Sequence, residues 1–129
     1  MLMIPLSMVT TIGPDFIALQ VKDMRRSREF YTGQLGLRPA KSSPPGAIVF
    51  DTRPIPFAIR DPLVDLGASP KLGWGVSLWL AVDDAKGLHD KLVKAGVSVP
   101  QPLSPGAFGL QFGFLDPDGY LLVAHQTDR

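Results

Sequence analysis

The side chains able to do chemistry are few, and most lie near the end of the chain. Asp116 and Asp118 put two carboxylates into Asp116-Pro117-Asp118-Gly119. A pair this close can divide acid and base roles between its members or hold a cation. The turn itself accounts for them, because aspartate side chains accept from turn amides and Gly119 is free to take a positive φ. His125 follows on the outgoing segment, with no placed partner to make it a general base. His89 lies between Leu88 and Asp90 on a helical stretch and reads as solvated. The chain has no cysteine, which excludes disulfides, thiolate nucleophiles and zinc–thiolate sites. Nucleophile elbow, phosphate loop and EF-hand patterns are missing as well. What remains suits binding: the indoles of Trp74 and Trp79, the ring of Phe16, and the amides of Gln20 and Gln111.

The rest of the composition narrows the class. A chain of 129 residues, 45% hydrophobic and 19% charged, fits one globular domain with its own core. Its net charge of +1 gives no electrostatic footprint for nucleic acid. Arg25, Arg26 and Arg28 are balanced by Asp23 and Glu29 and read as a solvated helix face. No apolar stretch approaches a membrane span. The start, Met1 to Gly13, is apolar but short, with no basic residue ahead of it, and reads as an arm or an added strand rather than a secretory signal. A cytoplasmic location fits the lack of cysteine. Clustered prolines and glycines predict many short strands.

The elements that must position the candidates repeat. "FIALQVKD" alternates, with Ile17, Leu19 and Val21 on one face and Phe16, Ala18 and Gln20 on the other. Asp23 caps a predicted helix, "MRRSREFYTGQL", that buries Met24, Ser27, Tyr31 and Leu35 with Phe30 beside them and stops at Gly36. "SLWLAVDD" then places Leu78, Leu80 and Val82 against Ser77, Trp79 and Ala81. Asp84 caps "AKGLHDKLVKAG", whose stripe is Ala85, Leu88, Leu92 and Ala95 and whose stop is Gly96. Val21, Asp23 and Pro39 pair with Val82, Asp84 and Pro100 at one constant offset, the mark of a duplicated unit. Each helix precedes three strand candidates: "GLRPAKS", "GAIVFDT" and "PIPFAIRD", then "GVSVPQPL", "FGLQFGFLD" and "YLLVAHQ". The predicted fold is therefore α+β. Two βαβββ units, about residues 14–61 and 74–127, are joined by a linker at 62–73 and preceded by an arm at 1–13.

Two such units, with "VKDMRRSREFYTGQLGL", "VDDAKGLHDKLVKAGV" and "FLDPDGYLL", resemble the vicinal-oxygen-chelate superfamily of glyoxalases, extradiol dioxygenases and bleomycin resistance proteins. The resemblance covers about residues 14–127. It implies curled sheets with helices on their convex sides and a cleft between concave sides, where metal-dependent members place His, Gln or Glu. Carried over by position, these ligand sites fall on Phe16, seven residues before the first capping aspartate, on Ser77 in the second unit, and on Val123, four residues after Gly119. The fourth falls near Phe57 or Ile59. None of these is a fit ligand for a divalent metal. Gln20 and His125 share their parity but lie about 13 Å and 7 Å away along a strand.

The expected function is metal-independent binding of a small, aromatic or conjugated organic molecule, with no cofactor. The resemblance to the bleomycin-resistance branch implies drug or metabolite sequestration by a homodimer that pairs subunits to complete two clefts. The expected ligand-binding residues are Phe16, Gln20, Ser77, Trp79, Gln111, Val123 and His125, and no catalytic residue is assigned. Trp74 is a lid or a surface anchor. Gly109 and Gly113, beside Gln111, either leave room for a ligand or relieve sheet curvature. The rival reading is an enzyme, a glyoxalase-type lyase or isomerase or a dioxygenase relative with atypical site residues.

Overall fold

The computed structural model describes residues 9–127. Residues 1–8 of the expected arm lie outside the described residues, and residues 9–16 enter the first strand without a regular element. The first unit comprises β1 (Ile17–Gln20), α1 (Met24–Glu29), β2 (Ala47–Phe50) and β3 (Phe57–Arg60). The second comprises β4 (Leu78–Val82), α2 (Ala85–Lys94), β5 (Gln101–Gly106), β6 (Gly109–Leu115) and β7 (Leu121–Gln126). The sheets run β1-β3-β2 and β4-β7-β6-β5. In each, the first strand pairs parallel with the last and the remaining pairs are antiparallel. The α+β class and the duplicated unit are both present.

Two strand expectations shift, and proline explains both. "GLRPAKS" contributes only a bridge from Pro39 to Phe50, flanked by Ala40 N–H to Val49 O and Asp51 N–H to Arg38 O, each at 2.8 Å. Its counterpart β5 starts at Gln101, later than "GVSVPQPL" suggests, and slips register between Gln101 and Ser104, where Pro102 lies. Proline has no N–H to extend a ladder.

The predicted caps form. Asp23 accepts from Arg26 N–H at 3.1 Å and Asp84 from Gly87 N–H at 2.9 Å. The side chain of Gln126 also accepts from Ala85 N–H at 2.7 Å, so β7 helps to start α2. The first helix is shorter than its pattern, because after Glu29 it widens into a π-helical turn over Phe30–Gln34. That turn buries Phe30 and Tyr31 on neighbouring positions. The second helix buries Ala85 and Leu92, while Ala95 is exposed at its C-cap. His89 is not fully solvated: its ring meets the Phe112 ring edge-on at 5.3 Å.

The two units share one core. Val21, Phe50, Phe57 and Ile59 from the first sheet join Phe112, Phe114, Leu122 and Ala124 from the second. Phe30 approaches Phe114 at 6.2 Å, and Lys91 of α2 donates to Gly33 O at 2.9 Å beside α1. The helix-bearing faces of both sheets thus feed the same interior. Among the described residues, no helix is long and apolar enough to cross a membrane.

Candidate binding site

Strand alternation decides which residues reach the outer, concave faces. In the first unit these are Phe16, Ala18 and Gln20, with Ala18 paired to Ala58 and Gln20 to Arg60. In the second they are Ser77, Trp79 and Ala81, with Trp79 paired to Val123 and Ala81 to His125. The registers match position for position, so Ala58 is the counterpart of Val123 and Arg60 of His125. The fourth position, expected near Phe57 or Ile59, falls by register on Ala58, which pairs with Ala18 as Val123 pairs with Trp79, while Phe57 and Ile59 join the core cluster.

On the second face the structure brings together Trp79, Val123, His125 and Gln111, with Ser77 just ahead of β4. Trp79 is 40% exposed, and its ring lies 5.8 Å from His125. Phe108, at the tip of the β5–β6 hairpin, stands perpendicular to Trp79 at 5.9 Å and is 68% exposed. It was not among the expected residues; an aromatic at the turn of "GAFG" was the available signal. His125 Nδ1 is buried and has no hydrogen-bond partner among the described residues. Gln111 pairs with His125 across β6 and β7.

The glycines do not leave the room that a ligand would need. A Cβ at Gly113 would meet the side chain of Gln101 at 2.5 Å, and one at Gly106 would overlap the side chain of Gln111. Gly109, at φ +112, lies against Gln126 O, which a Cβ would meet at 2.8 Å. Two glutamines therefore fill the space over these strands, and the glycines permit that filling.

The first face is sparser. Phe16 is 49% exposed. The side-chain oxygen of Gln20 accepts from Leu63 N–H at 2.7 Å, which ties it to the linker. Arg60, also not foreseen, bonds through Nε to Asp61 O at 3.1 Å. Only the β1–β3 register reveals its direction. No ring contact or hydrogen bond among the described residues joins Phe16 or Gln20 to Trp79, Gln111, Val123 or His125. The predicted residues thus fall into two groups, one on each sheet.

The model of the Glyoxalase/Bleomycin resistance protein/Dioxygenase superfamily matches residues 13–124. The chain belongs to this superfamily. No curated protein sequence matches it. The structure of TnmS3, an antibiotic binding protein from Streptomyces sp. CB03234, is similar with 20% identity and a TM-score of 0.69, covering 93% of this chain and 100% of that one. The genomically encoded fosfomycin resistance protein FosX from Listeria monocytogenes gives 17% identity and a TM-score of 0.70, covering 92% and 95%. A glyoxalase-related enzyme from Fulvimarina pelagi gives 21% identity and a TM-score of 0.67, covering 91% and 89%. At these identities the likeness is one of fold.

A glyoxalase-type metal does not fit this superfamily member. The four positions that the resemblance assigns to metal ligands hold Phe16, Ala58, Ser77 and Val123, which together offer one side-chain hydroxyl oxygen. Divalent cations are bound by imidazole, carboxylate, carbonyl or thiolate donors. Among the described residues, no group of three or more His, Asp or Glu could hold a metal elsewhere. The aspartate pair is also committed. Asp116 accepts from Tyr31 Oη–H at 2.6 Å and from the amides of Asp118 and Tyr120, each at 2.9 Å. Asp118 accepts from Lys22 N–H at 3.0 Å and Ser27 Oγ–H at 3.3 Å. Burial pushes the Asp116 carboxyl above the usual carboxylate range, against the downward pull of these hydrogen bonds. Burial and the neighbouring Asp116 carboxylate push the Tyr31 phenol up as well, so it stays a neutral donor.

Proposed function

We propose that the chain binds a small planar organic molecule, aromatic or conjugated, without a metal, and holds it rather than transforms it. One observation carries the reading: Trp79, Phe108 and His125 form an exposed aromatic corner on a face whose metal positions hold apolar or neutral side chains. A flat ligand stacks on Trp79 with Phe108 as a perpendicular wall and the His125 ring beside it. Val123 and Ser77 floor the site, and Gln111 borders it. Among the described residues no hydrogen bond orients a general base at the corner or activates the Ser77 hydroxyl, which suits binding better than catalysis.

The face is open on one chain, and a homodimer closes it. In this reading the first-unit face of a second copy, with Phe16 and Arg60, covers the Trp79 corner, and the symmetry of the pair gives two sites. Gln20 shapes that covering face through its bond to Leu63. Support comes from the fold shared with proteins described as antibiotic binding and fosfomycin resistance proteins. Drug or metabolite sequestration is the corresponding role.

The test is a screen of conjugated small molecules by calorimetry, on protein purified without chelator and assayed for metal. A ligand that binds metal-free protein and loses affinity in Trp79→Ala supports the reading. One tightly held Zn, Ni, Fe or Mn per chain, or turnover of the bound molecule, would overturn it in favour of a superfamily enzyme.

A further inference from the structure

Between the units lies a slot of about 780 Å³. It falls within the span of small-molecule sites, about 300–1,000 Å³. Its floor is Ile17 and Leu19 of β1, Leu78 of β4 and Leu122 of β7. These side chains are on the core faces of their sheets, yet Ile17, Leu19 and Leu78 are only partly buried. The core is therefore unclosed at this edge.

The roof is the linker ahead of β4. Gly73 and Gly75, at φ +73 and +84, flank Trp74 and set its direction. A Cβ on Gly73 would meet the Tyr120 ring at 3.2 Å, so glycine is what lets the linker lie this close. Trp74 is 75% exposed and lines the slot. Lys71 Nζ sits 4.7 Å above its ring.

The rim is cationic. Lys22 and Lys71 line it, and neither forms an ion pair among the described residues. Asp118, the lining carboxylate, has both oxygens hydrogen-bonded and a fully buried side chain. Of the residues assigned to the aromatic corner, only Ser77 also touches the slot.

We infer that this slot is a second ligand site that takes an elongated apolar molecule with an anionic head. The body replaces water against Ile17, Leu19, Leu78 and Leu122. The head stays at the solvent edge, within reach of Lys22 and Lys71. A neutral molecule of the same shape gains the first term and lacks the second.

Trp79→Phe leaves Trp74 as the sole indole of the two in the chain and makes it the reporter. The probes are dodecanoate, kept below its micelle concentration, and dodecanol. Dodecanoate is expected to change Trp74 emission saturably and to shift the amide resonances of Ile17, Leu19 and Leu78. Lys22→Glu is expected to weaken dodecanoate about fivefold, the scale of one exposed ion pair, and to leave dodecanol unchanged. Circular dichroism confirms that both variants fold. No saturable change, equal dodecanoate affinity in Lys22→Glu, or amide shifts centred on Trp79 and His125 would overturn the inference. So would binding that appears only after residues 1–8 are deleted, which would make the chain's own start the occupant.

Discussion

Tyr31 donates its hydroxyl to Asp116 at 2.6 Å and so joins the first helix to the β6–β7 turn of the second unit, 85 residues away in sequence. The same carboxylate accepts the two turn amides of Asp118 and Tyr120 through its other oxygen. One side chain therefore shapes the hairpin and ties the two units together. Asp118 and Tyr120 add a second tie, from Lys22 N–H and Ser27 to Asp118 and from Tyr120 Oη–H to Gln20 O at 2.7 Å.

Tyr31→Phe is expected to destabilise the fold by about 1–3 kcal/mol, because it leaves a buried Asp116 oxygen without its donor. Tyr120→Phe removes a half-buried bond and should cost less, about 0.5–1.5 kcal/mol. Urea unfolding of the two variants measures the difference. Equal losses would mean that the Tyr31–Asp116 bond is no more than a surface contact.

Asp116 also gives stability a pH dependence of known sign. Burial raises its folded pKa above the unfolded value, despite the hydrogen bonds that lower it. Its contribution is thus fully present below the ordinary carboxylate pKa of about 4 and is lost as pH rises through the raised folded value. Asp116→Asn keeps an oxygen for the turn amides and removes the titration. Its stability relative to wild type should therefore improve as pH rises through that window. Parallel pH–stability curves for the two proteins would sink the assignment.

Much of this was legible in the sequence. Asp23 and Asp84 marked both helix starts, and alternation sent Trp79, Val123 and His125 to one face and Leu78, Leu80 and Val82 to the other. The turn chemistry of Asp116 and Asp118 was also readable, but their reach to Tyr31, Lys22 and Ser27 was not, because periodicity says nothing of contacts between units. Arg60 and Ala58 stayed hidden because "PIPFAIR" has apolar residues on both faces, so only pairing with β1 sets its register. The same limit concealed that Gln101 and Gln111 fill the space over Gly113 and Gly106. The relative placement of the faces came from the shared core, which joins Phe30 to Phe114.

Gly109 is held by both conformation and space. At φ +112 an L-residue is strained, and a Cβ would press on the backbone of Gln126 at 2.8 Å. Gly109→Ala is expected to cost about 1–3 kcal/mol, the range for a non-glycine residue forced into such backbone. It should also displace the adjacent Phe108 from Trp79, seen as a change in Trp79 fluorescence. A neutral effect on thermal midpoint and emission together would contradict the close approach.

Ligand binding should divide the two indoles. For a flat ligand found in the screen, Trp79→Ala is expected to cost about 2 kcal/mol, close to thirtyfold in Kd, as for the central aromatic of an interface. Phe108→Ala should cost about 1 kcal/mol, since an edge contact buries less. Trp74→Ala should leave this ligand unaffected, because Trp74 lines the slot and not the aromatic corner. Calorimetry on the three variants distinguishes them, and a loss confined to Trp74→Ala would move the ligand to the linker.

The dimer prediction follows from how much apolar surface one chain leaves open. Phe16, Trp79, Phe108 and Leu121 are 49%, 40%, 68% and 39% exposed, and Ala18 and Ala81 are exposed between them. Two outward faces with this content suit burial against a partner better than solvent. Each face carries one half of the site, so a two-fold pairing of first face to second buries both at once. Sedimentation at roughly 50 μM is therefore expected to show a dimer, well above the dissociation constant of a standard-sized interface. Ala18→Lys puts a second cation beside Arg60 at the centre of the first face, where it would be buried without a carboxylate and cost several kcal/mol of association. The variant should sediment as a monomer, keep the circular dichroism of the fold because Ala18 is solvent-facing in the single chain, and lose affinity for the flat ligand. A wild-type monomer, or a variant that dimerises as before, would show that the site is complete in one chain.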